Sequence, residues 1–113
     1  MRSLLVKLTA GDDAPERCMQ GLTVAATAAA AGATVAVWLT GESVWLATPG
    51  RDLEIPESPP ASRLMTGLDV TVCTQCAARR QLTEDDLLPG IRIAGAAVFV
   101  EAALTDGVQA LVY

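Results

Sequence analysis

The sequence predicts an α/β fold in which helices flank both faces of a five-stranded, mostly parallel sheet. Short apolar runs recur along the chain with helical segments between them, which is the pattern of parallel strands joined by crossover helices. These runs lack strict alternation of apolar and polar residues, as expected for strands that are covered on both faces. A length of 113 residues fits one domain. We therefore expect a single three-layer sandwich over residues 1–113.

A long helix is expected between the first two of the five candidate strands. The candidate strands are LLVKL (4–8), VAVWL (35–39), VTV (70–72), IRI (91–93) and ALVY (110–113). Asp13 is expected to cap the helix that follows the first run, because Asp at the N-cap and Pro15 in the first turn suit a helix N-terminus. Gly32 is expected to end this helix.

The connection from the second strand to the third is expected to hold two short helices around an exposed loop. GESVWLA (41–47) has the pattern of a short helix, whereas residues 48–60 contain four prolines and several charges, which is typical of an exposed loop. Ser58 is the candidate cap of the next helix, with the two following prolines in its first turn and Gly67 at its end.

The last part of the chain is expected to add a brief helix, a strand, a final helix and a final strand. Thr83 and Asp86 have the spacing of a capping box, which predicts the brief helix. Residues 95–104 are expected to form the final helix. Arg92 interrupts an otherwise apolar run, which indicates a sheet face or edge that meets solvent or another chain.

The composition favours a homo-oligomer and excludes several kinds of partner. Hydrophobic residues make up 51% of the chain, which is more apolar surface than one small core hides and favours burial between subunits. The formal net charge of −5 would repel a polyanion, so we expect no direct nucleic-acid partner. The apolar run before Lys7 is too short for a signal peptide or a membrane span. We expect a cytoplasmic protein with no membrane partner.

The segment VTVCTQCAARR (70–80) carries the main chemical signal of the sequence. Cys73 follows an apolar strand, and the carboxyl ends of parallel strands are where ligands and chemistry gather in an open sheet. A thiol in the first turn of a helix faces unpaired N–H groups and the positive end of the helix dipole, which favour the reactive thiolate. If the helix begins by Thr74, Cys76 shares a face with Cys73.

Two arginines follow the cysteine pair and extend this candidate site. Arg80 lies four residues after Cys76 on the same helical face, and Arg79 precedes it. We expect one or both to stabilise an anionic sulfur or to dock an acidic partner. The competing interpretation is that Cys73 and Cys76 are packing residues, since free cysteine is among the most buried residue types.

The remaining candidate chemistry receives less support from the sequence. A single C-x-x-C supplies two ligands where a structural zinc site needs four, and the chain has no histidine, so we expect no metal. Cys18 has the spacing of a small core residue but stays a candidate third thiol, because the first loop often opens on the same sheet edge as the third. The aspartates of LTAGDD oppose a phosphate-binding loop there.

The segment CTQCAARRQLTEDDLLPGIRIAGA (73–96) resembles the DsrE/DsrF-like (TusD-like) sulfur-relay family. It has a strand-terminal cysteine, a basic residue six or seven positions later, Asp-Leu-x-Pro-Gly, and Ala-Gly opening the last helix. GDD after the first strand and VAVWLTGE (35–42) are similar in weaker ways. Gln81 stands where many members have glycine.

This resemblance implies a five-stranded parallel sheet between helices, with a flavodoxin-like strand order, assembled as dimers, trimers or hexamers. It also implies a cysteine that carries sulfane sulfur as a persulfide between donor and acceptor proteins. Cys73 matches the sulfur-carrying position, and Cys76 matches a second cysteine found in some members. Some members lack the cysteine altogether.

Three functions are therefore open at the level of the sequence. The first is a sulfur relay without a cofactor, which makes the chain a candidate sulfurtransferase with Cys73 as the sulfur carrier. The second is a non-catalytic subunit that assembles with related chains. The third is a dithiol redox protein that uses the pair Cys73 and Cys76, although thioredoxin itself has its motif after an earlier strand.

Overall fold

The apolar runs of the chain form the strands of one sheet, and the segments between them form helices. The computed structural model describes residues 2–113. Its elements are β1 (Ser3–Leu8), α1 (Pro15–Ala30), β2 (Thr34–Leu39), a first 3₁₀ helix (Gly41–Ala47), α2 (Ala61–Leu64), β3 (Asp69–Cys73), α3 (Thr74–Arg79), a second 3₁₀ helix (Glu84–Asp86), β4 (Arg92–Ala94), α4 (Ala96–Ala103) and β5 (Val108–Val112). The predicted α/β fold is confirmed.

All neighbouring strands are parallel, and their order is β4-β3-β2-β1-β5. This order departs from the expected flavodoxin-like order, which is 2-1-3-4-5. Each of the first three connections adds the next strand on the same side of the sheet, and only the last connection reverses direction. Because such crossovers are right-handed, the first three connections lie on one face and α4 lies on the other.

The face that carries the first three connections contains the main core. Its buried strand residues are Val6, Leu8, Val35, Val37, Leu39, Val70 and Val72. Helix α1 packs on β1 and β2 through side chains that recur at helical spacing. The buried residues of this helix are Cys18, Met19, Gly21, Leu22 and Ala25.

The opposite face is covered in part by α4. Phe99 of α4 packs edge-on against Trp38 of β2, with the ring centroids 5.3 Å apart. A helix of eight residues is too short to cover five strands, so β5 stays mostly exposed, with Val112 at 63% exposure. The expectation that every strand is covered on both faces is therefore wrong for β5.

Two predicted helix starts are wrong for local reasons. Helix α1 begins at Pro15 after Ala14, because the carboxylate of Asp13 instead accepts the backbone N–H of Gly11 at 2.8 Å. Helix α2 begins at Ala61 and not at Ser58, because Pro60 has extended backbone angles and the N–H of Ala61 donates to the loop.

Other local predictions are confirmed. The chain turns at Gly32, just past the end of α1, with a φ of 95° that glycine adopts readily. The carboxylate of Asp86 accepts the backbone N–H of Thr83 at 2.8 Å, as the capping-box pattern predicts. Arg92 is exposed on the edge strand β4, where it pairs with Asp69 at 3.4 Å. Within residues 2–113, no helix has the length and apolar character needed to cross a membrane.

Candidate functional site

Cys73 lies at the junction between a buried strand and a helix. It is the last residue of β3 and the N-cap residue of α3, with extended backbone angles (φ −65°, ψ 130°). Val72 points into the main core, so Cys73 points to the face that carries α4. The residue is half-buried and therefore partly exposed to solvent. The predicted strand-to-helix position of this cysteine is confirmed.

The surroundings of Cys73 favour its thiolate form. Partial burial raises the pKa of the thiol, but several groups oppose this effect and the net result is a pKa below the ordinary value. The largest opposing influences are the backbone N–H groups of Cys76 and Gln75, followed by the Cys76 thiol and the positive charge of Lys7. Hydrogen-bond donors and a cation both stabilise a charged sulfur, so these surroundings favour the thiolate of Cys73.

Cys76 is buried directly behind Cys73 in the first turn of α3. Its exposure is 9%, and its Sγ accepts a hydrogen bond from the backbone N–H of Gly41 at 3.2 Å. Gly41 opens the first 3₁₀ helix after β2, so the loop beyond β2 supplies the donor. The two cysteines are close together, and one of them is accessible whereas the other is held in place.

Arg80 does not point its charge at Cys73. Its Nη2 and Nε donate to Oε2 of Glu42 at 2.8 and 3.0 Å, and its Nη1 donates to the backbone oxygen of Cys76 at 3.1 Å. These hydrogen bonds of the guanidinium group join the end of α3 to the first 3₁₀ helix. Arg79 is exposed at the end of α3, where docking of an acidic partner stays a prediction.

Lys7 is a site residue that our interpretation of the sequence missed. It lies on β1, two strands away from Cys73, and its charge lowers the pKa of Cys73. The available signal was a cation inside the otherwise apolar run LLVKL. That signal does not reveal which side chains share the face of Lys7, because this depends on strand order and register.

Cys18 is a packing residue and not a third reactive thiol. Its side chain is fully buried in the core between α1 and the sheet. Burial, with a smaller contribution from the negative charge of Asp13, raises the pKa of the Cys18 thiol from its ordinary value of 9.0 to about 11. A neutral thiol without solvent access cannot take part in transfer between proteins.

The described part of the chain offers no evident metal centre and places a large cleft away from the cysteines. No group of three or more Cys, Asp or Glu side chains within residues 2–113 has the arrangement needed to hold a metal ion. A cleft of about 310 Å³ lies at the opposite edge of the sheet, near Ser3, Ala33 and Gly107. Cys73 therefore lies outside this cleft, at a half-buried position.

The fold is similar to that of two solved structures over the full length of each chain. The ychN protein from E. coli has a TM-score of 0.83 at 14% sequence identity, with 100% of both chains covered. MTH1491 from Methanobacterium thermoautotrophicum, described as a protein of unknown function, has a TM-score of 0.74 at 16% identity, again with 100% of both chains covered. At these identities the likeness shows the fold alone.

A protein-family model matches nearly the whole chain. No curated protein matches the sequence. The family model described as "DsrE/DsrF-like family" matches residues 2–112, which is nearly the whole chain and includes β3, the cysteine pair and α4. The match therefore extends well beyond the segment 73–96, and the chain belongs to the DsrE/DsrF-like family.

Proposed function

We propose that this protein is a sulfur carrier that holds sulfane sulfur as a persulfide on Cys73 and passes it to an acceptor thiol. The single observation that carries the proposal is a half-buried thiol whose pKa is lowered at the carboxyl end of β3. Membership of the DsrE/DsrF-like family supports a role of the sulfur-relay type. No cofactor takes part in the proposed steps.

The loading step is an exchange between a thiolate and a persulfide. The Cys73 thiolate attacks the terminal sulfur of a donor persulfide, a new S–S bond forms on Cys73, and the donor leaves as a thiolate. No net oxidation occurs, because the sulfane sulfur moves with its oxidation state unchanged. The half-buried position of Cys73 suits this step, since the donor needs access to the sulfur along one direction only.

Unloading follows by the same chemistry or through Cys76. In direct transfer, an acceptor thiolate attacks the terminal sulfur of the Cys73 persulfide, and Cys73 leaves as a thiolate that is ready for another cycle. In the second route, the Cys76 thiolate attacks the inner sulfur of Cys73, hydrosulfide leaves, and a Cys73–Cys76 disulfide forms. A dithiol reductant must then reduce this disulfide before the next cycle.

A persulfide-loading experiment tests the proposal. The reduced protein is incubated with a low-molecular-weight persulfide, and the intact mass is measured. Wild type and Cys18→Ser should each gain the mass of one sulfur atom, whereas Cys73→Ser should gain none. Cys18→Ser is the matched control because it also removes one thiol. If neither wild type nor Cys76→Ser gains sulfur, or Cys73→Ser gains as much as they do, the carrier function is wrong.

The role of Cys76 is tested by what the loaded protein releases. If Cys76 resolves the persulfide, loaded wild type should release hydrosulfide and form an internal disulfide without any acceptor. Cys76→Ser should keep its sulfur until an acceptor thiol is added. If wild type forms the disulfide readily but never carries sulfur, the pair functions as a dithiol redox protein instead.

We also propose that the protein assembles with copies of itself in the cytoplasm, where thiols stay reduced. The support is the large apolar side chains of α4, the residue after it and β5, which are between 40% and 77% exposed. They are Val98, Val100, Leu104, Leu111 and Val112, of which Val112 shares the face of α4 and Leu111 points to the other face of the sheet. A second copy suits these side chains, because a contact between two copies would remove their apolar area from water.

Light scattering tests the assembly. Wild type should exceed the mass of one chain, and Val112→Asp should shift the population toward the monomer because it places a charge in the proposed contact. Thr66→Asp, a change of similar kind at an exposed position beside α2, should leave the assembly intact. A monomeric wild type in dilute solution would contradict the proposal.

A further inference from the structure

Lys7 and Cys73 share one face of the sheet at its carboxyl edge. In the parallel register, Lys7 of β1 is paired with Trp38 of β2, and Trp38 is paired with Thr71 of β3. Paired residues of parallel strands point the same way, and residues two apart on a strand do so as well. The side chains of Lys7 and Cys73 therefore both point to the face that carries α4.

Aromatic side chains hold the ammonium group of Lys7 on this face. Its Nζ lies 5.1 Å from the centroid of the Phe99 ring, which is cation–π distance. Phe99 is fixed in turn by its edge-on contact with Trp38, a buried residue. Lys7 is a half-buried residue, and its ammonium group contacts the face of the Phe99 ring.

This cation has no carboxylate partner in the part of the chain that the structure describes. The ion pairs within residues 2–113 are formed by Arg80 with Glu42 and by Arg92 with Asp69. A half-buried lysine without a carboxylate partner is available to an anion that forms nearby on the same face of the sheet.

We propose that Lys7 is the positioning residue that holds the negative charge of the Cys73 sulfur, first as the thiolate and then as the persulfide. The inference rests on the carrier function proposed above and identifies which cation of the protein serves that site. Lys7 takes the role that the sequence suggested for Arg79 and Arg80. Lys7 lies on β1, beside the point between β1 and β5 where the strand order reverses, and open sheets bind their ligands at such points.

The other charged groups around Cys73 leave this role to Lys7. On α3, Arg80 is neutralised by Glu42 of the first 3₁₀ helix. On β3 and β4, Asp69 and Arg92 neutralise each other.

Two charged groups of the neighbouring helices point into solvent. Arg79 lies at the far end of α3 and Glu101 lies on α4, and both are exposed. This account of the charged groups around Cys73 agrees with its lowered pKa. Lys7 contributes to that pKa after the N–H groups and the Cys76 thiol.

The test measures the alkylation rate of Cys73 by iodoacetamide across a pH series, with the modified peptide quantified by mass spectrometry. Lys7→Met keeps the length and packing of the side chain but removes its charge, so the rate at pH 7 should fall roughly two- to fivefold and its midpoint should move to higher pH. Lys7→Arg keeps the charge and should retain most of the rate. The difference between wild type and Lys7→Met should shrink in 1 M salt, about where the screening length falls to 3 Å.

A matched control separates a local effect of Lys7 from a change in net charge. Arg63→Met removes one positive charge at an exposed position of α2, near the opposite edge of the sheet, and should leave the rate unchanged. The proposal is overturned if Lys7→Met alkylates as fast as wild type, or if Arg63→Met slows the reaction equally. This readout needs no sulfur transfer, so a failure of the carrier function would be seen separately in the persulfide-loading experiment.

Discussion

The guanidinium group of Arg80 donates two hydrogen bonds to a single oxygen of Glu42, at 2.8 and 3.0 Å, while its third nitrogen donates to the backbone oxygen of Cys76. These contacts join α3 to the first 3₁₀ helix at the point where the N–H of Gly41 reaches the Cys76 sulfur. The ion pair therefore fixes the loop that positions the second cysteine.

Removing the charge of Glu42 should weaken this junction. Glu42→Gln is expected to lower the free energy of unfolding by about 0.5–1 kcal/mol, because the pair is only partly buried and solvent screens it. Urea denaturation measures the change. Glu54→Gln, on the exposed loop, is the matched control and should change stability less. Equal effects of the two substitutions would mean that the ion pair contributes nothing.

Gly41 should be far less tolerant of a side chain than another glycine with similar backbone angles. Gly41 and Gly50 both have positive φ, at 57° and 77°, but a Cβ on Gly41 would lie 2.6 Å from the backbone oxygen of Thr9, whereas a Cβ on Gly50 would meet no atom within 4 Å. Gly41→Ala should therefore cost about 1–3 kcal/mol more than Gly50→Ala in urea denaturation.

The same substitution should also loosen Cys76. If the loop shifts to relieve the clash at Gly41, the N–H···Sγ contact is lost and the alkylation of Cys76 should become faster, which peptide mass mapping detects. Gly50→Ala should leave that rate unchanged. A similar cost for both substitutions would show that the loop has room to move.

Gln81 is the position at which a glycine should stabilise the protein. Its φ is 58°, in the left-handed region that glycine adopts without a steric penalty. Gln81→Gly is expected to raise the free energy of unfolding by about 0.5–1 kcal/mol. Gln20→Gly, in an exposed turn of α1, should lower it by about 1 kcal/mol. A destabilised Gln81→Gly protein would contradict the backbone explanation.

The cysteine motif could be predicted from the sequence because its geometry is local. An apolar run that ends in Cys73, followed by residues that form a helix, fixes the thiol at a strand-to-helix junction whatever the rest of the chain does. The capping box of Thr83 and Asp86 is local in the same way. The predicted start of α1 is wrong for a local reason also, since the carboxylate of Asp13 accepts the backbone N–H of Gly11 and does not cap the helix.

The electrostatic partner of Cys73 could not be predicted because it depends on long-range pairing. Lys7 lies 66 positions before Cys73 in the chain. It reaches the site only because β2 lies between β1 and β3 in the sheet and the register aligns Lys7 with Trp38. Sequence spacing instead favoured Arg80, which is near Cys73 in the chain but is neutralised by Glu42.

The contributions of Cys18 and Cys73 to the free energy of unfolding are expected to respond in opposite ways to alkaline pH. The Cys18 thiol has a pKa raised to about 11 by burial and, to a smaller extent, by Asp13, whereas an unfolded chain releases this proton near the ordinary value of 9.0. The contribution of the neutral thiol to stability is therefore complete below pH 9 and is lost as the pH rises toward 11. The total loss is at most about 2–3 kcal/mol.

Two alanine variants measure this difference by urea denaturation between pH 8 and pH 10.5, under reducing conditions. Cys18→Ala should cost about 1 kcal/mol near pH 8, because it leaves a small cavity, and progressively less as the pH rises. Cys73→Ala should behave in the opposite way, because the folded state favours the Cys73 thiolate and the stability it provides grows as the pH rises toward the pKa of the unfolded chain. If the cost of Cys18→Ala does not change with pH, its thiol titrates equally in both states and the sealed environment around α1 is wrong.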